Sequence, residues 1–378
     1  MGQLSLTVGV ESVSASVVVF SLQGVVTAAA DTAMAEALDD AASGSARHVI
    51  LDFSAVSGVD SGGASTLVRF WAKAKSRRIN LSAASADSDV KEILHLTGLA
   101  EVLPTFDSLS QALSAAGAGG GAVPAGEVKR LEVSEEYSGG GRRGSIVYWA
   151  KPVEKIRVMK VPGAVSSLNV EGRRPVGPIR GFGQMWEKTY ELRFQNSRRT
   201  PFDIAATTKQ NFVRFQPPQN QFYPSPAGIV PGATVLIRST VAGVPILTGV
   251  LVSYADDVSF TFMTPQGHPE SGWVTFRVFR EANETVCQIQ GLARANDPLY
   301  EIAFRLHGSK FQEMTWKHVL RSLAKHLDVD APVTMKKRCV APDLQWSQAG
   351  NIRYNAQIWT LAYVLVWPFR RVARIFKK

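Results

Sequence analysis

The amino-acid sequence predicts two domains of different fold class, an α/β domain at the N-terminus and an α+β domain after it. The chain has 378 residues, which is enough for two to three domains of about 150 residues each. β-Branched runs alternate with helical segments in residues 1–116, as in an α/β layer. After residue 233, five strand-like runs follow one another, which is typical of an antiparallel sheet.

The N-terminal domain is predicted to contain three strands and four helices. Residues 16–22 and 47–53 are rich in β-branched and apolar side chains, and the third strand covers residues 79–83. Apolar residues recur at helical spacing in four further segments, residues 32–42, 64–74, 90–97 and 108–115.

A glycine-rich segment, residues 117–145, separates the domains. Three consecutive glycines occur at positions 119–121 and again at 139–141. Glycine loses more conformational freedom on folding than other residues and brings no side chain to a core. The composition therefore predicts a flexible linker.

The second domain, residues 146–334, is predicted to be a curved antiparallel sheet packed on a long helix. A strand at 189–194 precedes a helix at 200–212, with Thr200 as its N-cap and Pro201 as its first residue. Five strands follow, at residues 233–240, 246–254, 258–264, 273–279 and 285–292. The last helix has an apolar stripe formed by Trp316, Val319, Leu320, Leu323 and Leu327. A helix across a concave sheet is a helix-grip arrangement, and an apolar cavity often lies between the two.

Charge and composition exclude several classes of protein. The formal net charge is +10, but residues 1–117 hold 7 Lys and Arg against 12 Asp and Glu, and the remainder holds 35 against 20. Domains of opposite charge can bind different partners or each other. The chain has only two cysteines, which excludes a disulfide framework and a multi-cysteine zinc site and is typical of a reducing cytoplasm. We expect no metal and no cofactor, and nucleic acid is disfavoured because no recognition motif accompanies the basic charge.

The junction before the helix at 64–74 carries the first candidate site. It reads Asp60-Ser61-Gly62-Gly63. A serine there can be the N-cap of the helix, with its hydroxyl beside free backbone N–H groups and the positive end of the helix dipole. A phosphate, which adds roughly 1.5 to 2 negative charges, is stabilised at such a position. Ser61 is therefore either a phosphorylation site, with Asp60 and Gly62 as the switch loop, or a plain N-cap.

Two segments of the N-terminal domain carry a family resemblance. They are Val-Ile-Leu-Asp-Phe-Ser-Ala-Val-Ser-Gly-Val-Asp-Ser-Gly-Gly at 49–63 and Ile-Leu-His-Leu-Thr-Gly-Leu at 93–99. They resemble the STAS domain, the family of bacterial anti-sigma-factor antagonists, and the resemblance covers residues 5–116. It implies that Ser61 accepts a phosphate from a partner serine kinase, and that the domain binds an anti-sigma factor or another STAS-docking protein. Many members have a second Ser or Thr at the position of Gly62, and many are docking modules that are not phosphorylated.

A second candidate site lies at the ends of two strands of the C-terminal domain. Residues 267–272 read Gly-His-Pro-Glu-Ser-Gly, and Arg294 ends the last strand. If these ends are adjacent, Arg294 can pair with Glu270 or an anionic ligand, and His268 can transfer protons. The alternative is a structural Glu–Arg pair in a hairpin. The expected ligand-binding residues are His268, Glu270, Trp273, Arg294, Phe262 and Phe276, and no residue is assigned as catalytic.

The C-terminal domain also carries a resemblance, over residues 186–328. It rests on residues 267–272, Phe276, Arg294, Pro298-Leu299 and a helix that includes Gln312. This region resembles an uncharacterised family of bacterial and plant proteins placed with the START-like, helix-grip superfamily of polyketide cyclases and lipid-binding proteins. The resemblance implies a hydrophobic small molecule or a lipid as the ligand, and some members act as cyclases or hydrolases.

The C-terminal segment, residues 335–378, is basic and aromatic. It holds nine Lys and Arg against one acid, Asp343. Its apolar stretch is too short to span a bilayer, but aromatic residues followed by cations suit a membrane interface. The alternative is a helix packed on the domain with a solvated basic end. The residues expected to contact an anionic membrane surface are Trp359, Trp367, Arg370, Arg371, Arg374, Lys377 and Lys378.

Together these patterns predict a bacterial regulatory or adaptor protein in the cytoplasm, either free or peripheral at the inner face of the membrane. The first domain would bind a protein partner under the control of Ser61, and the second would bind a hydrophobic ligand. Two alternatives stay open. One is a cyclase-type or hydrolase-type enzyme with His268, Glu270 and Arg294 as its polar site, and the other is a lipid-trafficking component at the membrane surface.

Overall fold

The structure, a computed structural model, describes residues 2–118, 128–137, 144–159, 161, 166–195, 197–241 and 243–375. The N-terminal domain is a six-stranded sheet with helices on both faces. Its elements are β1 (Gly2–Ser12), β2 (Val17–Val26), α1 (Ala30–Ser43), β3 (His48–Val59), α2 (Ser61–Ser76), β4 (Asn80–Ala84), α3 (Ser88–Thr97), β5 (Thr105–Phe106), α4 (Leu109–Ala115) and β6 (Lys129–Tyr137). The strand order is β5-β4-β3-β2-β1-β6, in which β2 to β5 are parallel and β1 is antiparallel to both of its neighbours.

Alternation of side chains along the strands explains the two layers of this domain. Phe20 and Leu51 pack into the core beneath α1, α2 and α3, whereas Val19 and Ile50, one position earlier, pack with Ala112 of α4 on the opposite face. The α/β class predicted for the N-terminal domain is confirmed.

Part of the segment predicted as a flexible linker is folded. Residues 129–137 form β6, which pairs along β1 in the register Leu6↔Val133, and Leu131 packs against the core. The prediction for residues 117–145 is therefore wrong over β6, because alternating apolar residues there complete a sheet edge. The glycine clusters at 119–121 and 139–141 lie outside the described residues.

The C-terminal domain is a large antiparallel sheet with a long helix against it. Its elements are β7 (Pro175–Val176), β8 (Met185–Gln195), α5 (Pro201–Asn211), β9 (Asn220–Pro224), β10 (Thr234–Val241), β11 (Val244–Ala255), β12 (Ser259–Pro265), β13 (Glu270–Glu281), β14 (Glu284–Ala295), α6 (Pro298–Ala303), α7 (Ser309–Leu327), β15 (Val333–Ala341) and α8 (Ala356–Ile375). The strand order is β15-β8-β14-β13-β12-β11-β10-β9, and β7 pairs with β12. The predicted N-cap is confirmed, since Thr200 and Asp203 form a capping box at the start of α5.

The core of this domain is aromatic. The ring of Phe212 lies 5.2–5.7 Å from the rings of Phe222, Phe260, Phe262 and Phe276. The apolar stripe of α7 covers this cluster through Val319, Leu320 and Leu323, each at most 2% exposed.

The domain boundary predicted at residue 335 is wrong. Met335 pairs with Tyr190 in the middle of β15, so the basic run Lys336-Lys337-Arg338 belongs to the edge strand of the sheet rather than to a tail. Alternation in this strand is weak, since most of its side chains are half-buried or exposed, and its position is set by pairing with β8.

The two domains are packed against each other. One continuous apolar cluster contains the core beneath α1, α2 and α3 together with residues of the second domain, namely Trp149, Ile179, Met185, Tyr254, Met263, Trp273 and Leu292. The domains therefore share a core rather than being independent bodies on a tether.

Candidate functional site

Ser61 is buried at the junction of the two domains. Asp60, rather than Ser61, is the N-cap of α2, because its carboxylate accepts a hydrogen bond from the Gly63 N–H at 2.7 Å. Ser61 is the first residue of the helix and only 3% exposed. A Cβ on Gly62 would lie 2.9 Å from the Cβ of Ala28, so the structure has no room there for a second Ser or Thr.

Two tryptophans of the second domain lie against this junction. Trp149 Nε1 donates to the carbonyl of Val59, the last residue of β3, at 2.8 Å. Trp273 Nε1 donates to Ser65 Oγ at 2.9 Å, and Ser65 in turn donates to the carbonyl of Ser61 at 3.1 Å. A kinase cannot reach the Ser61 hydroxyl in this docked arrangement, because the hydroxyl has almost no contact with solvent.

A buried ion-pair network joins the same faces. Arg69 of α2 contacts Asp31 of α1 and Glu187 of β8, each at 2.6 Å. Arg338 of β15 contacts the same two carboxylates, at 3.2 Å and 3.0 Å. Arg69 and Glu187 are 6% and 8% exposed, so this contact between the domains is shielded from solvent.

A third contact joins the end of α3 and the turn that follows it to the loop after β7. Arg180 Nε donates to Glu101 at 2.9 Å across the boundary. A Cβ on Gly177 would lie 2.5 Å from the backbone oxygen of Thr97, so the close approach of these two segments requires glycine.

The second domain holds a cavity of about 390 Å³ between the sheet and helices α6 and α7. Most of its wall is apolar, and the apolar side chains include Phe222, Ile237, Ile246, Val250, Phe262, Trp273, Phe304 and Trp316. The polar side chains of the wall include Lys188, Tyr190, His268, Glu270, Arg294 and Gln312. This composition is typical of a site for an apolar molecule that polar groups orient.

The polar set is centred on Glu270. Gln312 Nε2 donates to the two carboxylate oxygens of Glu270, at 2.9 Å and 2.8 Å, and Gln312 Oε1 accepts from Lys188. Burial raises the pKa of Glu270 and lowers that of Lys188, with each charge partly offsetting the effect on the other. Lys188, Gln312 and Glu270 thus form a continuous hydrogen-bonded chain inside the cavity, with Gln312 in the middle.

His268 is held beside this chain in its neutral form. Its Nδ1 accepts from the Glu270 N–H at 3.1 Å. Burial lowers the pKa of His268 to about 4, so the imidazole is uncharged at neutral pH. Within the described ranges, no three His, Cys, Asp or Glu side chains come together as a metal-binding group.

Five of the six expected ligand-binding residues line the cavity, and one does not. His268, Glu270, Trp273, Arg294 and Phe262 belong to its wall. Phe276 lies behind the wall, where its ring stacks on Phe260 at 4.6 Å and is 4% exposed. Assigning Phe276 to the ligand site is therefore wrong, because it fills the aromatic core. Ligand binding by the other five stays a prediction.

Arg294 has other partners than those expected. Its Nη1 donates to the carbonyls of Gly183 at 2.6 Å and Asp343 at 2.9 Å, whereas the carboxylate of Glu270 is bonded to Gln312. Burial lowers the pKa of Arg294 to about 10. The predicted pair between Arg294 and Glu270 is absent from the described contacts, because Arg294 is bonded to two backbone carbonyls and Glu270 to Gln312 of α7.

Sequence reasoning missed Lys188 and Tyr190. Both line the cavity on β8, together with Trp186. The spacing of two between these residues was a usable signal, because alternate residues of a strand lie on one face. The predicted strand began only at residue 189, so this face was not recognised.

The helix α8 leaves much of its apolar surface exposed. Ala356 and Thr360 are fully buried, and the Leu247 N–H donates to Thr360 Oγ1 at 3.1 Å. The exposed apolar side chains of this helix are Ile358, Trp359, Leu361, Val364, Leu365 and Val366. Of the expected membrane contacts, Trp359 is 47% exposed; the side chains of Trp367, Arg370, Arg371 and Arg374, and the whole of Lys377 and Lys378, lie outside the described residues. Among the helices of the described residues, none is both long and apolar enough to cross a bilayer.

Comparison with known proteins identifies the first domain. Residues 10–112 match the STAS domain family, so the N-terminal domain is a STAS domain. No curated protein is significantly similar to the chain. An anti-sigma factor antagonist from Mycobacterium paratuberculosis is 25% identical over 29% of this chain and 92% of its own, with a TM-score of 0.26.

Two further solved structures are similar to parts of the chain. The anti-sigma factor antagonist SpoIIAA in its unphosphorylated form is 17% identical over 29% of this chain and 96% of its own, with a TM-score of 0.26. The di-domain ARO/CYC StfQ from the steffimycin biosynthetic pathway is 9% identical over 38% of this chain and 51% of its own, with a TM-score of 0.32.

Proposed function

We propose that this is a regulatory protein in which a hydrophobic ligand in the START-like, helix-grip domain controls the partner surface of the STAS domain. One observation carries the proposal. Trp273 is part of the cavity wall, and its indole N–H is bonded to Ser65 on α2, one turn from Ser61. A ligand that moves this indole therefore acts directly on the helix that begins with Ser61.

The docked arrangement is the closed state of the proposed switch. Ser61 is 3% exposed in it, so phosphorylation by a serine kinase, or binding of an anti-sigma factor at this end of α2, requires the domains to separate. A phosphate on Ser61 would in turn oppose redocking, because its charge would have to be desolvated beneath Trp149 and Trp273.

Nile red, a neutral dye that fluoresces in apolar surroundings, tests this coupling. We expect it to bind the full chain and to change hydrogen exchange at the first turns of α2. Val250→Trp, which fills the cavity from β11, is the matched control and should remove both effects while the protein stays folded. Dye binding without any change in α2 would contradict the coupling.

An enzymatic role is less well supported by the same geometry. Burial raises the pKa of Glu270, which suits this carboxyl group to donate a proton in the cavity. Its carboxylate oxygens, however, both accept from Gln312, and Gln312 is also bonded to Lys188. Because both oxygens of Glu270 are already hydrogen-bonded, this arrangement favours ligand binding over proton transfer by Glu270.

A peripheral position at an anionic membrane is the second candidate function. The helix α8 begins at the cavity, since Gln357 belongs to its wall, and continues with exposed apolar side chains. Five Lys and Arg follow Phe369 in the sequence. An apolar helix face followed by cations is suited to the lipid interface, and a ligand could then enter from the bilayer.

Flotation with vesicles of phosphatidylglycerol and phosphatidylcholine tests the membrane proposal. Leu365 is 71% exposed on α8, and Val147 is equally exposed at the start of the second domain. We expect Leu365→Glu to lower vesicle binding at least tenfold, because burying one Leu contributes about 1.5–3 kcal/mol. Val147→Glu, the matched control, should leave binding unchanged. Equal effects of the two variants would contradict a role of α8.

A further inference from the structure

The cavity contains buried polar groups without a partner. Among the described residues, four buried side-chain polar atoms that lack a hydrogen bond belong to residues of the cavity wall. These four atoms are Tyr190 Oη, Thr248 Oγ1, Arg294 Nε and Trp316 Nε1. A buried donor without a partner costs about 1–3 kcal/mol, so such a concentration at one cavity is informative.

Two of these residues, Tyr190 and Trp316, lie where β8 and α7 meet at the cavity. Lys188 of β8 is bonded to Gln312 of α7, which fixes where strand and helix meet. Tyr190 follows Lys188 by two residues on the same face of β8, and Trp316 follows Gln312 by one helical turn. The ring of Trp316 lies 5.5 Å from that of Phe276.

Register places Tyr190 near the same point. Tyr190 pairs with Ile289, and Ile289 pairs with Phe276 on the next strand, so Tyr190 and the Trp316–Phe276 contact lie two strands apart on one row of the sheet. The phenol is 1% exposed.

The chemistry of the two groups defines what they can bind. An indole N–H is a donor only, and a phenol donates one hydrogen bond, so both are satisfied by an acceptor oxygen. Burial, together with the charges of Glu270 and Glu313, keeps the Tyr190 hydroxyl protonated by raising its pKa. Neither donor is charged and most of the wall is apolar, while the charged wall residues Lys188, Arg294, Arg305, Lys337, Glu270 and Glu301 are of both signs. The two donors therefore fit a neutral acceptor such as a ketone, ester or amide carbonyl.

We propose that the cavity binds an apolar molecule whose neutral carbonyl oxygen accepts hydrogen bonds from Tyr190 Oη and Trp316 Nε1. The apolar body then lies against Phe222, Ile237, Val250 and Phe262. This inference rests on the proposed ligand-binding function and specifies the chemistry of the ligand.

A matched pair of probes tests the inference. Benzophenone and diphenylmethane have the same two rings, and only benzophenone has a carbonyl. Their affinities are measured by displacement of Nile red from the full chain. A cavity without free donors would favour the more apolar diphenylmethane, whereas the proposed donors make benzophenone bind at least as tightly. Tyr190→Phe and Trp316→Phe should each lower benzophenone affinity about threefold to tenfold and leave diphenylmethane less affected.

Phe262→Leu is the control, since it trims the apolar wall and should weaken both probes equally. Benzophenone affinity that is unchanged in both Tyr190→Phe and Trp316→Phe would overturn the inference while leaving cavity binding intact. Failure of both probes and of Nile red to bind the wild type would overturn the proposed function itself. Thermal unfolding of the ligand-free protein is a second readout. Tyr190→Phe should raise Tm, because it removes an unsatisfied hydroxyl, and a lowered Tm would show that the hydroxyl already has a partner.

Discussion

The buried pair between Arg69 and Glu187 should be a principal contribution to docking of the two domains. Glu187→Gln preserves the size of the side chain but removes the charge that faces Arg69 at 2.6 Å. Arg69 is 6% exposed and would keep only Asp31 as a close carboxylate partner besides its polar contacts.

The expected magnitude follows from that geometry. Removing one partner of a fully buried ion pair costs about 3–5 kcal/mol, and a single hydrogen bond to a charged group contributes about 1.5–3 kcal/mol. Because Arg69 keeps Asp31, we expect a value near the lower range, about 2 kcal/mol. That corresponds to a roughly thirtyfold change in the docking equilibrium, since 1.4 kcal/mol is tenfold.

A double-mutant cycle measures this coupling. Arg69→Met, Glu187→Gln and the double variant are unfolded in urea, and the interaction energy is the departure from additivity. The matched cycle uses Lys91 and Asp107, an ion pair of 2.9 Å inside the STAS domain whose side chains are 48% and 82% exposed. We expect less than about 1 kcal/mol for that surface pair. A coupling between Arg69 and Glu187 no larger than that of the control would refute the reasoning.

Three further substitutions test the interface and the cavity. Ser61→Asp places a charge at a site that is 3% exposed, so small-angle scattering should show a larger radius of gyration than for Ser61→Ala; equal radii would contradict a closed state. The pKa of His268 in the folded protein, about 4, lies below its ordinary value. The stability that the neutral His268 contributes is therefore fully present above about pH 6.5 and is lost as the pH falls toward 4, by about 3 kcal/mol at most. His268→Asn should therefore reduce the difference in the free energy of unfolding between pH 7 and pH 4.5, measured in urea. An unchanged difference would contradict the assignment of this pH dependence to His268. Gly177→Ala adds a Cβ 2.5 Å from the Thr97 oxygen and should weaken docking, seen as faster exchange at the end of α3, whereas Gly291→Ala has 4.0 Å of space and should not.

Local patterns were sufficient to predict most elements of both domains. Alternation located β2, β3, β4 and the strands β10 to β14, while Thr200 and the stripe from Trp316 to Leu327 identified α5 and α7. These signals are local because the side-chain periods of strands and helices are visible within a few neighbouring residues. The strands β1, β6 and β15 were missed, and the two edge strands β6 and β15 are placed by pairing with β1 and β8, which are distant in sequence.

The candidate site shows the same division. The residue types at 267–272 predicted a polar site, and the helix across the sheet predicted a cavity; His268, Glu270 and Trp273 do line that cavity. Phe276 was misassigned although Val274, two residues earlier on the same face of β13, lines the cavity, because the sequence does not tell how far along a strand the cavity extends. The Arg294–Glu270 pair was misassigned because the partners of long side chains depend on which segments the fold brings near.

The sequence by itself determined that an acidic α/β domain with a serine at a helix start precedes a basic antiparallel domain with an apolar interior. Only the tertiary structure decided that Ser61 is enclosed, that Trp273 belongs to both the cavity and the domain interface, and that Arg69 meets Glu187. The physical reason is range: periodicity and capping act over a few residues, whereas burial and ion pairing join positions more than a hundred residues apart, such as Arg69 and Glu187 at a separation of 118.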